Sequence, residues 1–161
     1  HVGANPPYLG MVIRPDSVDR HTWQNIQATG SYTLNAVGVD FYRKAHQTSA
    51  RYEKGESEFL ETGLLAVYRQ GVVAPFVGES AIKMGLELQE FHRVECNGTI
   101  VVVGKVVYVE LGEDLLFEDG AVDLVKADAV GSVGLDGYVS ATWLDRLSYA
   151  KPDKTATSIL P

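Results

Sequence analysis

The chain alternates short apolar runs with Pro, Gly and Asn breaks, and it contains one long strand-like exception. The first run, Tyr8-Leu9-Gly10-Met11-Val12-Ile13, follows Pro6-Pro7 and is bounded by Pro15, which predicts a buried strand ending at Arg14. Asp16 to Thr29 has Asp and Ser at its start, Trp23, Ile26 and Gln27 at helical spacing, and Gly30 just beyond, the pattern of a short helix. Ser31 to Val37 alternates and is rich in strand formers, so the opening unit reads strand, loop, helix, strand. Polar, mixed sequence then runs from Val39 to Glu61, with a helix expected near Asp40 to Gln47 and a capping pattern at Ser57 to Glu61.

The long exception is Ile82, Met84, Leu86 and Leu88 alternating with Lys83, Gly85, Glu87 and Gln89, which sets one face inward and the other toward water. Asn97-Gly98 predicts a two-residue type I′ turn, and Thr99 to Leu111 returns as a Val-rich strand. Gly104 inside that strand signals a bulge, a barrel corner or a close backbone approach. Ala121 to Val133 is expected to be partly helical. Gly131, Gly134 and Gly137 predict loops leading to Trp143 to Tyr149, and the tail past Pro152 is expected to fray. The pattern is mainly β with short helices and suits a small curved barrel. Without an internal repeat or linker, residues 1–161 read as one domain.

Composition narrows the function classes. A length of 161 residues with 45% hydrophobic content supports one sizeable core, and a net charge of −7 argues against nucleic acid as a partner. Cys96 is the lone cysteine, so no internal disulfide is available, and a reducing cytoplasm is the expected compartment. No apolar run reaches the roughly 18 residues of a membrane span. The chain opens on His1 and meets Asn5-Pro6-Pro7 almost at once, so a natural start upstream is expected.

Most catalytic patterns fail. The Gly-x-Ser-x-Gly elbow of a hydrolase is absent, and His21, His46, His92 and Cys96 are too scattered for a metal site. Gly131-x-x-Gly134-x-x-Gly137 lacks both a P-loop Lys and a strand-to-helix setting. Asn97-Gly98-Thr99 matches a glycosylation triplet but suits a tight turn better, and His92 reads as a surface polar contact. Arg14 to Thr22 is different, because it joins a strand to a helix start and concentrates cations and hydroxyls. Helix amides reinforced by Arg14 and the Thr22 hydroxyl would hold a phosphate; the same residues would also make an ordinary capped helix with a solvated charge cluster.

The order of these features resembles the flavin reductase-like family, also called flavoprotein oxygenases. The residues that carry the resemblance are Asn5-Pro6-Pro7, Met11 to Arg14, Thr22-x-x-Asn25-Ile26, Thr33-Leu34-Asn35 and Ala45-His46-x-x-Ser49-Ala50. Ser57-Glu58-Phe59, Val73-Ala74-Pro75, Glu79-Ser80, Val103 to Val106 and Arg146 to Tyr149 continue it. The resemblance implies an FMN-binding split β-barrel acting as a homodimer, with the flavin ring in a groove between two barrels. It implies FMN phosphate on Arg14, Ser17, His21 and Thr22, with Asn25, His46 and Ser49 completing the cofactor-binding set, and assigns neither a catalytic side chain nor a metal. The implied activity passes electrons from NAD(P)H through FMN to flavin, oxygen or another small acceptor. The alternative is a non-catalytic split-barrel module binding flavin or haem. Relatives carry leading strands that precede the first residues seen here, and many reductases place a His beside the hairpin glycine, where this chain has Thr99.

Overall fold

In the computed structural model, which describes residues 1–160, the first strands are β1 (Gly3–Ala4) and β2 (Pro7–Ile13), paired antiparallel with Gly3 opposite Tyr8. Helix α1 spans His21–Thr29 and does not begin at Asp16. Asp16 takes both nitrogens of the Arg93 guanidinium at 2.8 and 2.7 Å, and Arg20 Nε donates to the Pro15 carbonyl at 3.2 Å, so this segment is a bent loop. The Asp16 carboxylate, which would cap a longer helix, is spent on this contact with Arg93 outside it. Gly30, in the left-handed region at φ +68°, ends α1 by donating its N–H to the Ile26 carbonyl.

Strand β3 (Ser31–Asn35), α2 (Tyr42–Gln47) and α3 (Glu58–Thr62) follow, each close to its expected place. Ser57 occupies the N-cap of α3, but its hydroxyl makes no capping bond. Strands β4 (Ala66–Arg69) and β5 (Val72–Val77) lack a clear sequence signal, since the first is four residues long and the second contains Pro75.

The long hairpin pairs β6 (Ile82–Arg93) with β7 (Ile100–Leu111), from Ile82 opposite Leu111 to Arg93 opposite Ile100. Burying Ile100 completely fixes that register and leaves residues 94–99 to connect the strands, so the turn is longer than a two-residue type I′ loop. Val94 N–H donates to the Thr99 carbonyl at 2.8 Å, Gly98 takes φ +72°, and Asn97 Oδ1 accepts the Thr99 N–H at 2.9 Å. The Asn-Gly pair therefore serves a turn, by a different geometry from the one expected.

The main sheet has the order β1-β2-β7-β6-β3. Its inner face buries Trp23, Ile26, Tyr32, Leu86, Ile100 and Val102, so α1 plugs the curved sheet. The other face of β6 is divided: Glu87 and Gln89 are exposed as expected, whereas Lys83 and Gly85 are buried. Lys83 is only 7% exposed, and a Cβ on Gly85 would lie 2.7 Å from Val72 and 3.2 Å from the Phe76 ring, because β5 covers this side. Period-two alternation could not show that the first half of this outer face is covered.

Side chains of β3 sew the two sheets together. Thr33 Oγ1 donates to the Pro75 carbonyl at 2.7 Å, Asn35 Nδ2 donates to Thr33 Oγ1 at 3.0 Å, and Asn35 Oδ1 accepts the Val77 N–H at 3.1 Å. Asn35→Ala leaves that N–H and the Thr33 oxygen without their partner, and it should cost about 1–3 kcal/mol in urea unfolding. Stability equal to the parent's would show that the seam contributes nothing.

Beyond β7, Ala121 to Ala129 forms turns in place of a helix. Asp123 Oδ1 accepts the N–H groups of Val125 and Lys126 and the Trp143 Nε1–H. The glycines expected in loops instead build the hairpin β8 (Val130–Val133) with β9 (Gly137–Ser140), turned at Gly134 with φ +64°. The tail is paired back: Ile159 N–H donates to the Arg146 carbonyl at 2.7 Å and Ser148 N–H to the Thr157 carbonyl at 2.9 Å.

Candidate functional site

Three segments meet at the end of β2. Pro15 stops the strand, the bent loop delivers the start of α1, and the turn after α2 brings up residues 48–52. Between them lies a cleft of about 510 Å³, lined by Arg14, Arg20, His21, Thr22, Ser49 and Arg51, with Val12, Ile13 and Tyr52 as its apolar side.

The electrostatics of this cleft run against the chain's net charge of −7. Among the described residues, no carboxylate lies within ion-pair distance of Arg14, Arg20 or Arg51. Asp19 and Glu58 also line the cleft, so the fixed charges balance to one net positive, three cations against two anions. The helix start adds to this. Its N-cap residue Arg20 supplies no side-chain bond, its first turn carries no acid, and its first internal bond is Gln24 N–H to the Arg20 carbonyl. The amides of residues 21–23 therefore have no partner inside the helix, which makes this end a receptor for an anion. The loop that presents these groups is anchored at Asp16, whose carboxyl Arg93 holds below its ordinary range through their hydrogen bonds.

A second cleft of about 490 Å³ adjoins the first, sharing His21, Thr22 and Glu58. Its other walls include Asn25, Lys54, Ser57, Phe59 and Pro75.

The residues singled out by sequence are distributed over this surface. Arg14, His21, Thr22 and Ser49 are brought together in the first cleft, and Asn25 stands in the second. Ser17 lies on the exposed bend outside both, and His46 points to the β8–β9 hairpin, its Nδ1 3.1 Å from the Tyr138 hydroxyl. His92 is exposed and 3.4 Å from Glu90. Among the described residues, no group of three or more His, Cys, Asp and Glu is arranged to hold a metal. Arg20 belongs to the cation-rich Arg14 to Thr22 stretch but not to the cofactor-binding set expected from sequence, and Arg51 and Tyr52 lie outside both. The available signal was the accumulation of arginine at two places in an acidic chain, but no local motif ties residue 51 to residue 14.

The donor set of the first cleft fits a phosphate dianion: guanidinium groups for charge-assisted bonds, free helix amides, and the hydroxyls of Thr22 and Ser49. The fold has known relatives. A split-barrel protein of flavin-reductase type from Shewanella frigidimarina NCIMB 400 is 47% identical and superposes with a TM-score of 0.89 over 93% of this chain and 74% of its own. An FMN-binding protein from Thermus thermophilus, crystallised with 1-cyclohex-2-enone, shares the fold at 21% identity and a TM-score of 0.68, over 86% of this chain and 72% of its own. A protein of Methanothermobacter thermautotrophicus is 29% identical over 120 residues, and the match spans 73% of this chain and 57% of that relative's length. Among the described residues, no helix is long and apolar enough to cross a membrane. With residues 1–126 matching the model of the flavin reductase like domain, the chain belongs to that family and has its split β-barrel fold.

Proposed function

We propose that this protein binds FMN by its phosphate in the first cleft and works as an FMN-dependent oxidoreductase. In this reading it takes electrons from NAD(P)H and gives them to free flavin, oxygen or another small acceptor. The observation that carries the reading is the convergence of Arg14, Arg20 and Arg51, none engaged by a carboxylate, on an uncapped helix start. The FMN-binding relative and the flavin-reductase-type relative support the same cofactor and reaction class.

Bound flavin would supply the hydride and electron chemistry, and the protein's own groups would bind and orient it. Arg14 and Arg20 neutralise the phosphate, His21 and Thr22 present backbone and side-chain donors, and Ser49 and Arg51 close the opposite wall. Val12, Ile13 and Tyr52 offer apolar surface beside the charged end. Val12 is 70% exposed in the single chain, which suits a homodimer in which a second barrel covers the flavin ring.

The test is titration of the purified protein with FMN, followed by anaerobic mixing with NADH or NADPH. Bleaching of the flavin spectrum is expected, and no FMN binding at micromolar concentration would end the reading. Arg14→Ala should weaken FMN binding about 10- to 100-fold, the loss expected for one charge-assisted hydrogen-bond donor. Tight binding without reduction by either nucleotide would select a non-catalytic flavin-binding module, which Thr99 at the hairpin turn favours over a reductase.

A further inference from the structure

Beyond the phosphate cleft, we propose that the adjoining cleft is a nucleoside subsite that takes the unphosphorylated adenosine end of a dinucleotide. This deepens the reading of the first cleft and rests on it. The two clefts share His21, Thr22 and Glu58, so a ligand whose phosphate sits at the α1 start can extend directly into the second.

The second cleft differs in chemistry from the first. Its one cation, Lys54, is outnumbered by Glu56 and Glu58, which disfavours a further phosphate and suits a neutral ring bearing hydroxyls. Carboxylates accept from the vicinal hydroxyls of a ribose, and Glu58 has no hydrogen-bond partner of its own for its carboxylate among the described residues. Next to it, the Ser57 hydroxyl stands at the N-cap of α3 without capping it, so it is available to a ligand. On the α1 side, Gln24 is engaged by Asp19 at 3.1 Å, whereas the Asn25 side chain is exposed and offers both a donor and an acceptor to a base edge. Phe59 and Pro75 supply apolar faces for the base.

An adenosine end comes from two sources, FAD or NADH, and the experiment separates them. The protein and its Ser57→Trp variant, which fills the cleft without removing a cap bond, would be titrated with FMN, with FAD and with adenosine, using fluorescence for the flavins and saturation-transfer NMR for adenosine. Adenosine should bind the parent and not the variant. If FAD is the source, FAD binds the parent about tenfold or more tighter than FMN, and Ser57→Trp brings the two together with FMN affinity unchanged. If NADH is the source, FAD and FMN bind alike, while FMN-loaded parent binds NADH in preference to NADPH and loses that preference in the variant.

Phe59→Leu, which keeps an apolar side chain in α3, should weaken adenosine binding in the same direction and guards against a misfolded Trp variant. Adenosine binding that survives in both variants, or that is absent from the parent, overturns the proposal. So does a large loss of FMN affinity in Ser57→Trp, which would place the flavin ring itself in this cleft. Failure of FMN to bind while adenosine still does would remove the phosphate reading and leave the nucleoside subsite standing.

Discussion

Gly104→Ala is expected to destabilise the protein by about 3 kcal/mol or more, at the upper end of what overpacking a core costs. Gly104 is buried in β7 opposite Leu88, and Tyr32 from β3 lies directly over it. A methyl group there would sit 2.7 Å from Cζ and 2.9 Å from Cε1 of the Tyr32 ring and closer still to its hydroxyl. The ring has no room to retreat, because Tyr32 is 6% exposed and belongs to the cluster of Trp23, Ile26 and Leu86. Its hydroxyl is buried without a hydrogen-bond partner among the described residues, and burial pushes the phenol pKa above its ordinary value. Tyr32→Phe alone should therefore hold or raise stability, since it removes an unpaired buried polar group. Combined with Tyr32→Phe, Gly104→Ala should recover only part of its loss, because the ring carbons remain too close. Urea unfolding of the two single variants and the double variant measures this, and a Gly104→Ala protein as stable as the parent would refute the packing account.

The same glycine shows how far the sequence could be read. Its place in a Val-rich strand announced a close approach or a bulge, and both occur: Tyr32 approaches from the core, and the β6 register slips at Gln89, between Leu88 opposite Gly104 and Glu90 opposite Val103. What could not be read was the identity of the approaching group, which lies far back along the chain and meets Gly104 only through β6. The same limit explains Lys83. Alternation placed it on a polar face, and only the packing of β5 against that face reveals that the lysine is buried. In the candidate site, Arg14, His21 and Thr22 were legible because they are contiguous with one strand-to-helix junction. Arg51 and Tyr52 were not, because their position depends on how the turn after α2 folds back. Local signals fail most clearly after residue 120, where glycines that suggest loops instead permit the tight β8–β9 turn.

The buried lysine leads to the second large expected effect: Glu110→Ala should cost about 3 kcal/mol, the usual consequence of leaving a buried charge without its partner. Glu110 is the hub of a cluster on the covered outer face. Arg69 Nε donates to Oε2 at 2.6 Å and Nη2 to Oε1 at 3.1 Å, the Tyr108 hydroxyl donates to Oε2 at 2.9 Å, and Lys83 Nζ lies 3.1 Å from Oε1. Without the carboxylate, the Lys83 amine keeps only the Ser80 carbonyl at 2.6 Å, in a place where its side chain is 9% exposed. Arg69 is 37% exposed and can turn to solvent, so the loss falls mainly on Lys83. Replacing both partners, buried Lys83→Met with half-buried Glu110→Leu, should recover most of the stability, because an apolar pair no longer leaves the Lys83 charge desolvated without a partner. The cluster also predicts an acid limb in the stability profile. The Arg69 hydrogen bonds, aided by those of Tyr108 and Lys83, hold the Glu110 carboxyl down to about 2 from an ordinary 4.5. A carboxylate whose folded pKa is depressed contributes fully above its unfolded pKa and loses that contribution as pH falls through the folded one. Urea midpoints should therefore fall between about pH 4.5 and about pH 2 in the parent, and the Glu110-dependent part of that fall should be missing from the variant carrying both Lys83→Met and Glu110→Leu. An unchanged midpoint in Glu110→Ala, or the same acid limb in the double variant, would show that Glu110 is an ordinary surface carboxylate.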